Sequence, residues 1–577
     1  MPPNRSCPSL FFLCIKNITA EIIHMWKKVE INRLHGVADN TRKPRRQEFC
    51  IQIREHLSWG LNIFVQQDLL SYVLKKILNA KFAGVIDLSI ENICENSIKL
   101  ENAWDLLEDI LFIFGREGIS NVDLSHSEIK SSKCHGINIC PIDIMGQACN
   151  RAIHNTIFKN NEWAKSLVSL NLQNAVDSRT VHCIGMSCQN LQFLCLLTNE
   201  LIEEEMKDFV SSLSCLYGEL PLDWIQTAQP IGCSNINYLV LPVFKRKVDL
   251  SEHITKMLFF MSNLRAIRNA PMRLAIRKYI SRSTHVKPLK LVEFEDEESE
   301  HFPGAAQTQE MDNSLENVKI THVIQDVKSY TFSLKNESNN SNIHEIEQLT
   351  NIRRLELDLY VLEISWFPIF PLVTNFILKF EDAMDMGDIL HINAKFPNLQ
   401  HLSITASDLY SSLEDNRSDV IFYHLTSLQL HMLELDRLLL IQILTGCPKL
   451  NTLKIFVNGE YSSEFEPLTD EDISLIVPYL SNIETLEFSR DPFNPLINNC
   501  VEQLPITKAS VETLLHNCSK LKWLGCLDSW DITEGEFKML ISQINQTNLD
   551  VHLSYYQRSP WQLLYPHKTV CPEWLKY

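Results

Sequence analysis

Glycine is scarce in this sequence, with 16 residues in a chain of 577. Tight turns and phosphate-binding loops depend on glycine because it adopts positive φ without strain. The scarcity disfavours a dinucleotide-binding enzyme, a P-loop enzyme and a β-barrel. It favours a fold with few sharp turns and many helices.

Long apolar runs and paired cysteines are also missing. No run approaches the ~18 apolar residues that span a bilayer, and Leu10–Ile15 is too short for the core of a signal peptide. The 17 cysteines include no C-x-x-C pair, so we expect reduced structural thiols rather than a disulfide framework. We therefore expect a protein of the cytoplasm, the nucleus or both, with no membrane partner.

Positive charge and catalytic signatures are lacking as well. The 53 basic residues are outnumbered by 71 acidic ones, which gives a net charge of −18 and argues against a nucleic-acid partner. The sequence contains no nucleotide-binding, zinc-protease or serine-hydrolase motif. We expect no enzymatic activity and no cofactor.

One group of possible metal ligands needs separate treatment. It consists of Cys134, His135, Cys140, Cys149 and His154. A zinc site requires four ligands in tetrahedral reach, usually with cysteine pairs two to four residues apart. The spacing here does not fit, so we expect ordinary thiols and no metal.

What the sequence does contain is a repeated pattern, L-x-x-L-x-L. Clear copies begin at Leu167, Leu191, Ile236, Ile352, Leu399, Leu425, Leu450, Ile483 and Leu521, and weaker ones at Val85 and Leu264. The last apolar position advances from Ile404 to Leu430 and then to Ile455, steps of 26 and 25 residues. Such steps are typical of leucine-rich repeats.

Each copy predicts a short strand with one buried side, and a helix is expected between copies. In one such segment Ile473, Ile476, Val477 and Leu480 have helical spacing, and Thr469 or Asp470 can cap the helix. One strand and one helix per repeat predict an α/β leucine-rich-repeat solenoid, a horseshoe with a parallel sheet on its concave side and an N-terminal helical cap.

Several copies carry a cysteine three residues before the first aliphatic residue, as in Cys188-Gln-Asn-Leu191, Cys233-Ser-Asn-Ile236, Cys447-Pro-Lys-Leu450 and Cys518-Ser-Lys-Leu521. A small apolar group fits where a helix ends against the next strand. The pattern, over about residues 80–560, resembles the cysteine-containing, ribonuclease-inhibitor-like repeats of F-box and related ubiquitin-ligase receptors.

The N-terminal region has a second family signature. Ser9-Leu10-x-x-x-Cys14-x-x-x-Ile18 lies in a predicted amphipathic helix. It resembles the BC box, the elongin-C-binding helix of VHL-box ubiquitin-ligase receptors. The resemblance implies that Leu10, Cys14 and Ile18 contact elongin C. An ordinary capping helix remains the alternative.

VHL-box receptors also have a cullin-binding motif downstream of the BC box. The corresponding segment here is 61–78, where Val65, Leu69 and Leu70 are candidates for contact with a cullin or an adaptor. Gln66 stands where the family has proline, which puts that contact in doubt. The same segment resembles a degenerate F-box helix. Alternatively, it only caps the end of the repeats.

The expected organisation follows from these segments. We predict a helical adaptor-binding or capping region at 1–80, repeats at 81–291, an acidic disordered insertion at 292–316, repeats at 317–560 and an aromatic tail at 561–577. The expected function is substrate recognition in a cullin–RING ubiquitin ligase, with elongin C, a cullin and a protein substrate as partners. The alternatives are a plain interaction scaffold and an F-box-type receptor that uses a Skp adaptor.

Overall fold

The structure is a computed structural model of the chain. It describes residues 48, 50–55, 57, 61–83, 107–124, 141–172, 176–197, 203–219, 232–242, 249–283, 287–297, 320–334, 348–359, 364, 367–380, 383–410, 422–457, 468–490, 503–547 and 549–554. They divide into two compact units, an N-terminal unit within Pro8–His285 and a C-terminal unit within Val292–Pro560.

The N-terminal unit alternates short strands and helices. Its elements are α1 (Ile63–Ala83), β1 (Asn121–Asp123), α2 (Pro141–Thr156), α3 (Asn161–Ser166), β2 (Ser169–Asn171), α4 (Ser178–Ser187), β3 (Phe193–Cys195), α5 (Glu203–Ser212), β4 (Tyr238–Val240), α6 (Ser251–Phe260), β5 (Ala266–Arg268) and α7 (Met272–Arg282). The five strands form one parallel sheet in sequence order.

The C-terminal unit contains the longer sheet. Its elements are β6 (Glu293–Glu297), β7 (Ser329–Leu334), β8 (Arg354–Leu359), β9 (Asn375–Phe380), β10 (Met384–Asp385), α8 (Met386–Lys395), β11 (His401–Tyr410), β12 (Ser427–Leu435), α9 (Arg437–Thr445), β13 (Thr452–Val457), α10 (Asp470–Ile476), β14 (Thr485–Arg490), α11 (Lys508–Asn517), β15 (Trp523–Gly525), α12 (Glu534–Thr547) and β16 (His552–Leu553). Ten strands follow one another in parallel from β6 to β16, and β10 pairs with β11 beside this path.

All nine clear copies of the triplet, and the weaker copy at Leu264, lie at strands that pair in parallel. In the C-terminal sheet the residues at the middle of the triplets are in register, so they form one core row. The row consists of Phe294, Tyr330, Leu355, Phe376, Leu402, Leu428, Leu453, Leu486, Leu524 and Leu553. None of them is more than 4% exposed. The predicted class, a mixed α/β fold with parallel strands, is confirmed.

The prediction of a disordered acidic insertion is wrong at its beginning. Residues Glu293–Glu297 form β6, which pairs in parallel with β7. The prediction weighed the acidic composition and overlooked two apolar residues, Leu291 and Phe294. Both of these side chains are fully buried. Burial of these two side chains favours the strand over disorder. Residues 298–316 of the predicted insertion lie outside the described residues.

The cysteines that precede the triplets occupy the positions that the sequence suggested. Cys188 and Cys518 end helices α4 and α11, and both are completely buried. Cys233 and Cys447 are buried at the equivalent positions. A small apolar side chain is needed there because the chain turns sharply: the N–H of Leu191 donates to the carbonyl of Cys188 at 3.3 Å.

Asparagines link successive repeats at the same turn. Each one immediately precedes the first aliphatic residue of a triplet, and its side-chain amide donates to a backbone carbonyl at the turn of the preceding repeat. The pairs are Asn190 to Lys165, Asn235 to Gln189, Asn351 to Gln325, Asn398 to Pro371 and Asn482 to Pro448, at 2.8–3.3 Å. These bonds fix the stacking of one turn on the next in both units.

Helix α10 begins as predicted, with Thr469 at its N-cap, and Ile473, Ile476, Val477 and Leu480 are all buried. Its first residue also links two repeats. Asp470 accepts hydrogen bonds from the N–H and the hydroxyl of Thr507, at 2.8 and 2.7 Å, and from the hydroxyl of Ser510. Partial burial disfavours the ionised carboxyl, but these bonds outweigh it and lower the pKa of Asp470.

We expect Asp470→Asn to destabilise the C-terminal unit by about 1 kcal/mol near neutral pH, because hydrogen bonds to the carboxylate are weakened. A lowered folded-state pKa means that this contribution is complete above the ordinary carboxyl pKa of ~4 and is lost as the pH falls through the folded-state value. Urea unfolding across this range measures the difference from wild type, which should shrink with acid. The exposed neighbour Glu471, changed to Gln, is the control; an equal effect there would contradict the assignment.

Candidate partner-binding face

The outward side of the C-terminal sheet presents aligned side chains. In each strand the residues that alternate with the core row point away from it. We call the following positions the open face: Arg354, Glu356, Asp358, Asn375, Ile377, Lys379, His401, Ser403, Thr405, Ser427, Gln429, His431, Thr452, Lys454, Phe456, Thr485, Glu487, Ser489, Trp523, Gly525 and His552. Most are half-exposed or exposed.

At the corresponding positions of the N-terminal unit, three large side chains are inaccessible to a partner. Phe193 and Tyr238 stack with 5.4 Å between ring centroids, and the guanidinium of Arg268 lies 4.8 Å from the centre of the Tyr238 ring. All three side chains are buried. A partner could not reach them without a rearrangement, so the accessible candidate site is the open face of the C-terminal unit.

Glu356 is the centre of one charged cluster on the open face. It is 5% exposed, and its carboxylate contacts two cations, the Arg354 guanidinium at 3.3 Å and the Lys379 ammonium at 2.9 Å. A buried carboxylate is tolerated only when it is paired in this way. The cluster therefore holds the two basic side chains in place on the sheet surface.

Glu487 forms a second cluster with fewer cationic partners. It is 2% exposed, Lys454 lies 3.4 Å from its Oε2 atom, and the Cys526 thiol donates to its Oε1 atom at 2.8 Å. Burial, followed by the charge of Glu487, raises the pKa of Cys526. The thiol is thus a hydrogen-bond donor and a poor nucleophile.

Aromatic rings occupy the same side of the sheet. His431 stacks on Phe456 with centroids 4.3 Å apart, and Trp523 stacks on His552 with centroids 4.5 Å apart. Phe456 is completely buried, whereas His431 and Trp523 are half-exposed and His552 is exposed. Together with the hydroxyl and amide side chains of β11 and β12, the three accessible rings offer the mixture of aromatic and hydrogen-bonding groups that is typical of protein-binding surfaces.

The predicted contact residues are placed as follows. Leu10, Cys14 and Ile18 lie outside the described residues. On α1, Val65 is half-buried, but Leu69 and Leu70 are completely buried. The prediction that these two leucines contact a cullin or an adaptor is therefore not supported by this arrangement, because their side chains belong to the core of the N-terminal unit.

Helix α1 covers the outer edge of the first sheet instead. Gln67 donates to the carbonyl of Asn121 at 2.7 Å and accepts from the N–H groups of Ser120 and Asn121, both at 3.0 Å. Its amide thus replaces a further strand beside β1. Gln66, at the position of the family's proline, is buried and donates to the carbonyls of Leu57 and Leu61.

The two candidate metal ligands that the structure describes, Cys149 and His154, do not form a metal site. Cys149 is buried, which raises its pKa to about 12, and His154 contacts the hydroxyl of Thr180 at 3.2 Å and the thiol of Cys183 at 3.8 Å. Among the described residues no three metal-binding side chains come together. Cys134, His135 and Cys140 fall in the part of the chain that is not described.

Two sequence comparisons return no relatives: no family model matches the chain, and no curated protein matches it. A search of solved structures finds a Bacteroides fragilis protein, determined as a structural-genomics target. It is 15% identical, with a TM-score of 0.24 over 43% of this chain and 71% of that one. A likeness this weak carries no argument.

None of the helices that the structure describes combines the length and the apolar composition that a bilayer span requires.

We expect Gln67→Leu to expose the edge of β1 to solvent, because leucine cannot make the three hydrogen bonds. Hydrogen exchange at the amides of Ser120 and Asn121 should accelerate by about tenfold, which corresponds to a loss of ~1.4 kcal/mol. The exposed neighbour Asp68, changed to Asn, provides the control. Unchanged exchange in Gln67→Leu would show that α1 does not cap the sheet.

Proposed function

We propose that this chain is a non-catalytic leucine-rich-repeat receptor of the cytoplasm or nucleus. It holds a target protein on the open face and binds elongin C through the N-terminal segment that contains Leu10, Cys14 and Ile18. As the substrate-recognition subunit of a cullin–RING ubiquitin ligase, it would bring the target's lysines close to a charged ubiquitin enzyme. The open face is the observation that carries the first part of this proposal, the binding of a target protein.

The continuous register of the C-terminal strands supports a solenoid architecture. Within the described residues each strand of this sheet pairs with its sequential neighbours, apart from the short β10, and the triplets recur at repeat-like spacing. The asparagine bonds between successive turns are a further repeating contact. In such an architecture the outward positions of neighbouring strands form one extended surface, which suits a protein target rather than a small molecule.

The chemistry of the open face also favours binding over catalysis. Its buried carboxylates contact lysine or arginine side chains, and the nearby Cys526 thiol is held protonated. Half-exposed hydroxyls, amides and aromatic rings remain available for recognition. The link to ubiquitin ligation rests on the four matching positions of the BC-box-like segment alone.

One experiment separates the two halves of the proposal. The tagged full-length chain is tested for retention of purified elongin C and for captured cellular proteins. We expect Leu10→Asp with Cys14→Arg to abolish elongin C retention and leave the captured proteins unchanged. Phe12→Asp, on the opposite side of the predicted helix, is the matched control and should retain elongin C.

The reciprocal variant is Ser403→Glu with Thr405→Lys, at two half-exposed positions of β11. It should retain elongin C and lose the captured proteins. If wild type retains neither elongin C nor a Skp adaptor, the chain is an interaction scaffold without a ligase. Capture that is unaffected by the β11 substitutions would contradict the assignment of the open face.

A further inference from the structure

Two buried glutamates on the open face differ in their cationic partners. Glu356 contacts both Arg354 and Lys379. Glu487, which is even less exposed, contacts one lysine, at 3.4 Å, and within the described part of the chain its Oε2 atom accepts no hydrogen bond. Because burying a carboxylate is costly unless its oxygens are satisfied, Glu487 is the less completely paired of the two.

The neighbouring strand β15 places the aromatic ring of Trp523 close to Glu487. Gly525 on β15 is in register with Glu487. A Cβ at Gly525 would lie 2.7 Å from Nε1 of Trp523 and 3.6 Å from the carboxyl carbon of Glu487, so the indole lies over the glycine beside the carboxylate. The Trp523 ring is half-exposed and stacks on the exposed His552.

We propose that Glu487 and Trp523 form a pocket on the open face for a basic side chain, arginine or lysine, of the target protein. The Trp523 ring turns away from Gly525, and the incoming cation lies between the indole and the Glu487 carboxylate. This inference rests on the proposed function of the open face and names the chemistry of its partner there.

Three features of the site favour a cation. A carboxylate in a largely dry environment attracts a positive charge more strongly than an exposed one does. The face of an indole ring is the strongest aromatic partner for a cation. Gly525 has no side chain, so the Trp523 ring occupies the space beside Glu487. The in-register position beside Glu356 is Ile377, and Glu356 already contacts two cations of the chain itself.

The test uses the full chain labelled with 5-fluorotryptophan, in which the Trp523 resonance is assigned with Trp523→Phe. The probes are N-acetyl-arginine amide and the uncharged, nearly isosteric N-acetyl-citrulline amide. We expect a saturable shift of the Trp523 resonance with the arginine probe and none with the citrulline probe. Glu487→Gln should weaken binding of the arginine probe by about tenfold or more.

Glu356→Gln is the matched control, because it removes a buried carboxylate of the same sheet that already has two cations; it should leave probe binding unchanged. The proposal is wrong if the Trp523 resonance of the wild-type chain shifts with neither probe, or equally with both. It is also wrong if a folded Glu487→Gln variant binds the arginine probe with unchanged affinity. The comparison of the two probes uses the wild-type chain, so it tests the proposal even if Glu487→Gln does not fold. A negative result together with target capture that depends on β11 would remove this pocket and leave the proposed function standing.

Discussion

The burial of one row of aliphatic and aromatic side chains is the constraint on which the C-terminal unit depends. Successive parallel strands place Phe294, Leu428 and Leu553 in a single register, together with the core residues between them. A shift of one residue in any strand would turn its core side chain outward and expose it to water. The register of the core row therefore also fixes which residues form the open face.

The charges on that face follow from the same constraint. Neighbouring strands of a sheet lie about 4.8 Å apart, so alternate positions on adjacent strands bring their side chains together. Glu356 and Lys379 meet for this reason, and so do Glu487 and Lys454. Both carboxylates are nearly inaccessible in this structure, and each one holds basic side chains of the sheet in place.

The sequence predicted most of the strands whose triplets are aliphatic, since spacing locates them, but it missed β1, where Ile119, Val122 and Leu124 have the same spacing. It did not predict β7 and β9, because Tyr330 and Phe376 stand where the pattern requires leucine. A search that allowed aromatic residues at the middle position would have found both. Charge misled the prediction at β6, where carboxylates alternate with the buried Phe294.

The contacts of helix α1 could not be predicted from the sequence for a different reason. Spacing places Leu69 and Leu70 on one helix, but it does not say whether that side faces a partner or the protein's own core. The role of Gln67 depends on Asn121, which is 54 residues away in the sequence. The asparagines before the triplets were a visible signal, since an asparagine directly before a repeated aliphatic residue suggests a recurring turn.

The strands of the C-terminal unit share one core row, so the loss of a core side chain in one strand should destabilise the neighbouring strands. The most direct measurement is native-state hydrogen exchange in β11 and β13 after Leu428→Ala in β12, with the half-exposed Ser427→Ala as the comparison. Removal of the buried leucine should lower the free energy of opening in both neighbouring strands by about 2–5 kcal/mol, while the serine change should have an effect within ~0.5 kcal/mol. An effect of Leu428→Ala that is confined to β12, or no larger than that of Ser427→Ala, would show that the strands do not depend on one shared core row.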